Sequence, residues 1–220
     1  AIDENTSVVW ICTPNNPTGI YISNSRMSEF MEKVPNDVLV VLDEAYKEYL
    51  HADDGIDSKA LVEKYENLIS LRTFSKIYGL ASLRVGYGIA NQEIIKVLDP
   101  ARPPFNVNTL GQAAAIAAVE DQDFVEQCRQ TNIAGLKQFY QFCEENHLKY
   151  YPSQGNFVLI DFGHDGNEVF RYFMERGYII RSGVPLGFPT SVRVTVGSKE
   201  QNEEVISKMK EFITAKAALS

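Results

Sequence analysis

Runs of consecutive apolar residues, separated by turn-forming segments, organise the first part of the chain. Four such runs lie between residues 7 and 90: SVVWICT, DVLVVLDEAY, NLISLRTFS and RVGYGIA. The second contains five apolar residues in a row, from Val38 to Leu42. Strands that are buried on both faces lack polar alternation, so these runs predict parallel strands covered by helices. The sequence therefore predicts an open, doubly wound α/β sheet.

Between the first two runs the pattern changes to helical spacing. PNNPTG, with two prolines and a glycine, ends the first run. Apolar residues then recur three and four positions apart, at Met27, Phe30, Met31 and Val34. Ser25 precedes them as a candidate N-cap. We expect this helix to pack on the sheet.

From about Asp121 the pattern becomes that of a smaller α+β module. A long helix is expected over residues 124–146, followed by the short strands NFVLIDF, GYIIR and SVRVTVG and by the helix EVFRYFMER. Ser198 and Gln201 have the spacing of a capping box at the start of the last helix. We therefore divide the chain into a first domain of residues 1–120 and a second of residues 121–220.

Composition and charge narrow the function classes. The formal net charge is −8 and the isoelectric point is about 5.0, which disfavours nucleic-acid and membrane-surface partners because both favour a basic face. No apolar run is long enough for a membrane helix, and the polar, acidic start predicts no signal peptide. Three cysteines without a CxxC pair fit the cytoplasm and predict neither a disulfide framework nor a metal site.

Polar residues follow the predicted strands of the first domain, where ligands bind in open α/β sheets. These residues are Asn16, Asp43, Tyr46, Thr73, Ser75, Lys76 and Arg84. Each has an ordinary structural explanation by itself: a turn for Asn16, a cap for Asp43, a core position for Tyr46 and a solvated charge for Lys76. The hydroxyls of Thr73 and Ser75 fit local backbone hydrogen bonds equally well.

Their expected convergence at one sheet edge favours a common ligand. Two hydroxyls and an arginine suit a phosphate, since a guanidinium matches phosphate geometry with paired hydrogen bonds. A lysine in a partly dry pocket has a lowered pKa, which makes its amine a nucleophile toward a carbonyl. A carboxylate at a buried strand end needs a cationic or hydrogen-bonding partner. Pyridoxal 5′-phosphate (PLP) meets all these requirements with its phosphate, aldehyde, ring nitrogen and phenolic oxygen.

Five segments carry a resemblance to a known family: TPNNPTG, VVLDEAYKEY, RTFSKIYGLASLRVGYG, ARPPFNVN and VRVTVG. In this order they resemble the fold-type-I PLP-dependent aminotransferases, closest to the histidinol-phosphate aminotransferase branch. The resemblance runs over essentially the whole chain. It implies part of an aspartate-aminotransferase-like sheet sandwiched by helices, here the C-terminal part of the large PLP-binding domain, followed by a smaller α+β domain.

The resemblance also implies roles for the residues at the cofactor. Lys76 is expected to bind the PLP aldehyde covalently and to move the substrate's Cα proton. Asp43 is expected to pair with the ring nitrogen, and Asn16 and Tyr46 to hydrogen-bond the ring oxygen O3′. Three residues are expected to bind the cofactor phosphate: Thr73, Ser75 and Arg84.

The substrate roles implied by the resemblance lie mostly in the second domain. Arg193 matches the residue that binds the substrate's carboxylate or its corresponding end, and Asn16 is also expected to contact the substrate. Arg181 matches a second basic contact that favours a phosphorylated substrate. The reaction implied is histidinol phosphate plus 2-oxoglutarate to imidazole-acetol phosphate plus glutamate, in histidine biosynthesis, by a cytoplasmic homodimer. A surface strand position is the alternative for both arginines.

The chain also departs from the family pattern. An N-terminal part is missing that would supply a substrate-covering segment, further strands, a glycine-containing phosphate loop and an aromatic residue stacked on the cofactor ring. We therefore expect a C-terminal portion with exposed sheet edges and poor transaminase activity by itself. Three alternatives stay open: an aromatic-amino-acid aminotransferase or other PLP enzyme of this fold, a PLP-binding regulatory or interaction domain, and a non-catalytic remnant.

Overall fold

A computed structural model describes residues 1–218, and the chain divides into two compact units. The first comprises Ala1–Pro14 and Tyr21–Glu126, and the second Asn15–Ile20 and Gln127–Ser220. The division falls inside the long helix rather than after residue 120. The segment Asn15–Ile20 belongs to the second unit although it lies between two parts of the first.

The first unit is built on a four-stranded sheet in the order β1-β2-β3-β4. Its strands are β1 (Val8–Cys12), β2 (Leu39–Asp43), β3 (Leu68–Thr73) and β4 (Gly86–Ala90). Its helices are α1 (Asn24–Met31), α2 (Ser58–Lys64), α3 (Gln92–Leu98) and α4 (Thr109–Glu120). The apolar residues of α1, α2 and the inner strands form one buried core, which contains Val40 and Leu42 of β2. Val41, on the opposite face of β2, is also buried, so this strand lacks polar alternation.

Strands β1, β2 and β3 are parallel as predicted, but β4 runs antiparallel to β3. The connection from β3 to β4 contains a 3-10 turn, Ala81–Leu83, and no α-helix that would return the chain for a parallel strand. At the start of β4 the chains approach closely, since a Cβ on Gly86 would lie 2.8 Å from the carbonyl oxygen of Arg72. Glycine at this position permits the approach.

Burial on both faces, predicted for all four runs, does not hold for the outer strands. Trp10 of β1 is 69% exposed and Tyr87 of β4 is 40% exposed. These strands form the edges of the sheet, so their neighbours cover them on one side only. The N-cap of α1 also differs: Ser23, not Ser25, accepts a hydrogen bond from the backbone N–H of Arg26.

The second unit has a four-stranded antiparallel sheet in the order β5-β6-β8-β7. Its strands are β5 (Lys149–Tyr151), β6 (Phe157–Asp161), β7 (Arg181–Ser182) and β8 (Ser191–Thr195), and its helices are α5 (Gln122–Glu145), α6 (Gly166–Met174) and α7 (Lys199–Ala217). The helices share an aromatic-rich core with the inner strands. The capping box predicted for Ser198 and Gln201 is present at the start of α7.

Candidate active site

A cleft of 390 Å³ opens in the first unit beside the ends of β2 and β3. Its lining includes Asp43, Thr73, Ser75, Lys76 and Arg84, five of the residues that the sequence analysis expected at this edge. Parallel strands place their carboxyl ends together, which brings residues from the ends of β2 and β3 to one cleft. The cleft is also lined by Arg72, whose charge is paired with Glu44. The charged side chains left to a ligand are two cations, Lys76 and Arg84, and one carboxylate, Asp43.

Asp43 is the last residue of β2 and is held by its backbone and its side chain. Its carbonyl oxygen accepts the N–H of Thr13 at 2.9 Å, and its Oδ1 accepts the N–H of Ala45 at 3.0 Å. A carboxylate whose one oxygen accepts a backbone N–H still has its other oxygen for a ligand. Asp43 is half-buried, so a cationic ligand nitrogen is a suitable partner for it.

Lys76 lies in a tight loop that is anchored on both sides. Phe74 and Ile77 are buried, and Phe74 also packs against the ring of Tyr78 at 4.9 Å between centroids. The carbonyl oxygen of Lys76 accepts the N–H of Gly79 at 2.9 Å. The Lys76 amine is 5.2 Å from the centroid of the Tyr46 ring, within the range of a cation–π contact. The loop therefore holds the amine at the cleft.

Thr73, Ser75 and Arg84 lie together on the lining of the cleft. The Thr73 hydroxyl accepts the N–H of Ser75 at 3.0 Å, which shapes the turn that leads to Lys76. Arg84 adopts the left-handed conformation, with φ of 55°, and its Nη1 donates to the carbonyl oxygen of Ala81 at 2.6 Å. Backbone strain of this kind at a non-glycine residue is concentrated at functional sites.

A charge cluster behind the cleft was not predicted from the sequence. Glu44, directly after Asp43, is 1% exposed and pairs with Arg72 and Lys47. Burial raises the pKa of the neighbouring Glu48 above its ordinary value, although the charges of Arg72 and Lys47 act in the opposite direction. Two polar residues two positions apart in β3, Ser70 and Arg72, were the available sequence signal, because they share one face of the strand.

The remaining predicted site residues lie in the second unit. Arg193 of β8 is directly opposite Arg181 of β7 in the antiparallel ladder. Nη1 of Arg193 donates to Oδ1 of Asn16 at 2.7 Å, and its guanidinium lies 4.9 Å from the centroid of the Phe157 ring. The Nε of Arg193 is buried and has no hydrogen-bond partner among the described residues. A buried donor without an acceptor is costly, so this position suits an anionic ligand.

Asn16 is held in place by the loop that follows β5. The backbone N–H of Gln154, in this loop, donates to the carbonyl oxygen of Gly19 at 2.8 Å, which anchors the segment Asn15–Ile20. Arginine has no acceptor, so the Asn16 atom in contact with Arg193 must be the amide oxygen. The amide N–H of Asn16 is therefore the group that this side chain offers to a ligand acceptor.

Comparison with known proteins gives a consistent result. Residues 1–209 match the family model described as aminotransferase class I and II. The histidinol-phosphate aminotransferase of Geobacillus sp. strain WCH70 is 59% identical over 216 residues, which are 98% of this chain and 59% of that protein. The enzyme of the same name from Bacillus subtilis strain 168 is 58% identical over 97% of this chain and 59% of that protein.

A solved structure matches over a similar span. The crystal structure of histidinol-phosphate aminotransferase from Sinorhizobium meliloti in complex with pyridoxal-5′-phosphate has a TM-score of 0.88 and 30% identity. The match covers 96% of this chain and 59% of that chain. The chain thus spans 59% of the length of each of these relatives.

Proposed function

The chain belongs to the aminotransferase class I and II family, and from this premise we propose that it carries the site of a PLP-dependent aminotransferase acting on histidinol phosphate. The observation that carries the proposal is the cleft in which Asp43, Lys76 and Arg84 meet at the ends of β2 and β3. A carboxylate, a primary amine and a guanidinium are the groups that the ring nitrogen, aldehyde and phosphate of PLP require.

The residues of the cleft fit PLP by their chemistry. Lys76 and Arg84 outnumber the single unpaired carboxylate, Asp43, which suits a phosphorylated ligand. Arg84, with the hydroxyls of Thr73 and Ser75, would hold the phosphate, and Asp43 would pair with the ring nitrogen. Tyr46, whose ring lies at the Lys76 amine, would hydrogen-bond O3′. Asn16 is proposed for the same role on the family resemblance alone.

When bound, PLP supplies an electron sink for the bond between the substrate's Cα and its proton. Lys76 would provide the amine that attaches the cofactor and, once released, would remove that proton and return one to the product. Backbone hydrogen bonds from Leu80 to Phe74 and from Gly79 to Lys76 restrain the backbone at Lys76, which would help to keep its amine near the bound substrate. Asp43 would keep the ring nitrogen protonated through its negative charge.

The arginine pair, Arg181 and Arg193, would bind the substrate's anionic end. Like charges directly opposite in a ladder repel one another, and an anion would remove this repulsion. The buried Nε of Arg193 would gain its acceptor from the same ligand. A phosphorylated substrate satisfies two cations better than a neutral aromatic side chain does, which favours histidinol phosphate over phenylalanine.

A comparison of single-turnover rates on the PLP-loaded complete enzyme tests the substrate, because we expect the present chain to have poor activity by itself. Amino-group transfer removes the cofactor's visible absorbance, so histidinol phosphate and phenylalanine can be compared directly. We expect histidinol phosphate to react at least about tenfold faster, a difference of about 1.4 kcal/mol. A tenfold preference for phenylalanine would refute the proposed role of Arg181 and favour an aromatic-amino-acid aminotransferase.

The setting of the enzyme follows from the same observations. Among residues 1–218, no helix combines the length and apolarity that crossing a membrane requires. With the net charge of −8, a cytoplasmic enzyme of small-molecule metabolism is our proposal, without nucleic-acid or membrane partners.

Exposed apolar side chains in the first unit, among them Phe105, Val97 and Leu110, support a homodimer of the complete enzyme. We further propose residues 1–120 as the large domain and residues 121–220 as the small domain, a division by sequence that differs from the two compact units at Asn15–Ile20 and within α5.

A further inference from the structure

A buried carboxylate joins the ends of β2 and β3 behind the proposed PLP site. Oε2 of Glu44 accepts the hydroxyl of Ser70 at 2.7 Å and two N–H groups of Arg72, from Nε and Nη2, at 3.3 Å each. Its other oxygen, Oε1, lies 3.1 Å from the amine of Lys47. Arg72 also donates to the hydroxyl of Ser58 on α2, at 2.7 Å. The proposed reaction uses none of these groups directly.

The cluster lies where the backbone pairing of the two strands ends. The register between β2 and β3 runs to Asp43 opposite Leu71, and the N–H of Glu44 donates to the carbonyl oxygen of Leu71 at 2.9 Å. After Asp43 and Leu71, the next residues of the two chain segments are joined by the side-chain contact between Glu44 and Arg72. This contact extends the pairing of the two segments by one residue toward the loop that carries Lys76.

The contact is adjacent in sequence to two of the proposed cofactor groups. Glu44 directly follows Asp43, and Arg72 directly precedes Thr73. Arg72 also lines the cleft itself, whereas Glu44 is buried beside it. A shift of Glu44 against Arg72 changes the distance between Asp43 and the Lys76 loop.

We propose that Glu44 and Arg72 are a positioning pair that sets the spacing between Asp43 and Lys76. The proposal rests on the PLP-binding function proposed above, because this spacing matters for a ligand that contacts both residues. Buried ion pairs are poor stabilisers compared with apolar packing, so stability alone does not account for placing a charge here. A hydrogen-bonded carboxylate instead restricts the two chain ends to one relative position.

Hydrogen exchange tests the positioning without the cofactor. The amides of Ser75, Gly79 and Leu80 are hydrogen-bonded within the Lys76 loop, and the β1–β2 ladder of the same unit reports global opening. In Glu44→Gln we expect loop exchange to rise at least about tenfold over that of the ladder. Lys47→Met removes the other ion pair of the same carboxylate and should leave the loop unchanged relative to the ladder.

PLP affinity, followed by the visible absorbance, provides the second readout. We expect Glu44→Gln to weaken PLP binding at least about tenfold and Lys47→Met to change it less than about threefold. Such a difference would indicate that Glu44→Gln disturbs the position of the Lys76 loop rather than the stability of the fold. Ser70→Ala removes the shortest hydrogen bond of Glu44 and leaves its ion pairs with Arg72 and Lys47 in place. It should shift both readouts in the same direction if Glu44→Gln does not fold.

The outcomes separate this proposal from the proposed function. Selective loop exchange in Glu44→Gln or Ser70→Ala supports the positioning pair. Equal rises in loop and ladder, no change in either, or equal effects of Lys47→Met would overturn it. Failure of the unmodified protein to bind PLP would refute the proposed function instead, while the exchange measurement would still decide whether the pair fixes the loop.

Discussion

Arg193 and Arg181 face one another across the β7–β8 ladder, and Arg193 also donates to the amide oxygen of Asn16 at 2.7 Å. Like charges directly opposite in a ladder are unfavourable for the fold. The Nε of Arg193 is also buried without a partner among the described residues. Both features support the proposed role of the two arginines in binding an anionic ligand.

Replacement of the arginines should affect binding and stability in opposite ways. In the complete enzyme, Arg193→Ala should raise the KM for the substrate about 10- to 100-fold, since a hydrogen bond to a charged group contributes about 1.5–3 kcal/mol. Arg181→Ala should weaken the binding of the phosphorylated substrate more than the binding of phenylalanine. It should also leave the thermal stability of the unliganded protein equal or higher, because it removes repulsion. A clear loss of stability in Arg181→Ala would contradict the like-charge argument.

Asp43→Asn isolates the charge at the ring nitrogen of the cofactor. The asparagine Oδ1 can still accept the N–H of Ala45, so the local turn should persist. Loss of a charge-assisted hydrogen bond should weaken PLP binding about 10- to 100-fold. Asp53→Asn, on the exposed loop after Tyr49, is the matched control and should bind PLP normally. An unchanged affinity in Asp43→Asn would remove Asp43 from the cofactor site.

Gly19→Ala should disturb the support of Asn16. Gly19 has φ of 74°, and a Cβ there would lie 2.0 Å from Oγ of Ser153. Gly79→Ala is the matched control, with φ of 71° and no neighbouring atom within 4 Å. The control should lose about 1–2 kcal/mol from left-handed strain alone, and Gly19→Ala a further 1–3 kcal/mol, roughly, from overpacking. Denaturant unfolding measures the free energy of unfolding of both variants. Equal losses would show that Ser153 moves aside without cost and would contradict the prediction.

Glu48 predicts a specific dependence of stability on pH. Because burial raises its pKa in the folded protein, stability is greatest when the group is protonated and falls as the pH rises from 4.5 through the raised folded pKa. Glu48→Gln should therefore melt at a higher temperature than the unmodified protein at pH 7. The difference should vanish below pH 4.5. The exposed carboxylate of Glu66, replaced by glutamine, serves as the control, and a gain independent of pH would contradict the argument.

Much of the fold follows from patterns that local physics determines. The uninterrupted apolar run of β2 predicted a buried parallel strand, and Ser198 with Gln201 predicted the start of α7. The likeness to the Sinorhizobium meliloti enzyme confirms the expected aspartate-aminotransferase-like fold. The cleft residues were predictable because parallel strands bring their carboxyl ends to one edge of the sheet.

Other features depend on tertiary contacts that no local pattern specifies. The direction of β4 depends on the path of the chain after Lys76, and the exposure of Trp10 on what lies beside an edge strand. The place of Asn16 in the second unit depends on its contact with Arg193, 177 residues further along the chain. Of the two adjacent acids, the sequence analysis considered Asp43 and overlooked Glu44, because a buried carboxylate is unexpected until its partners are known.

Covalent attachment of PLP to Lys76 is tested most directly by reduction and mass spectrometry. The protein is incubated with PLP, treated with borohydride and digested, and the modified peptides are identified. We expect one dominant reduced pyridoxyl-phosphate group, on the peptide that contains Lys76, and its disappearance in Lys76→Arg. Labelling spread over exposed lysines such as Lys59 and Lys199, and unchanged in Lys76→Arg, would contradict the assignment of Lys76 as the cofactor-binding amine.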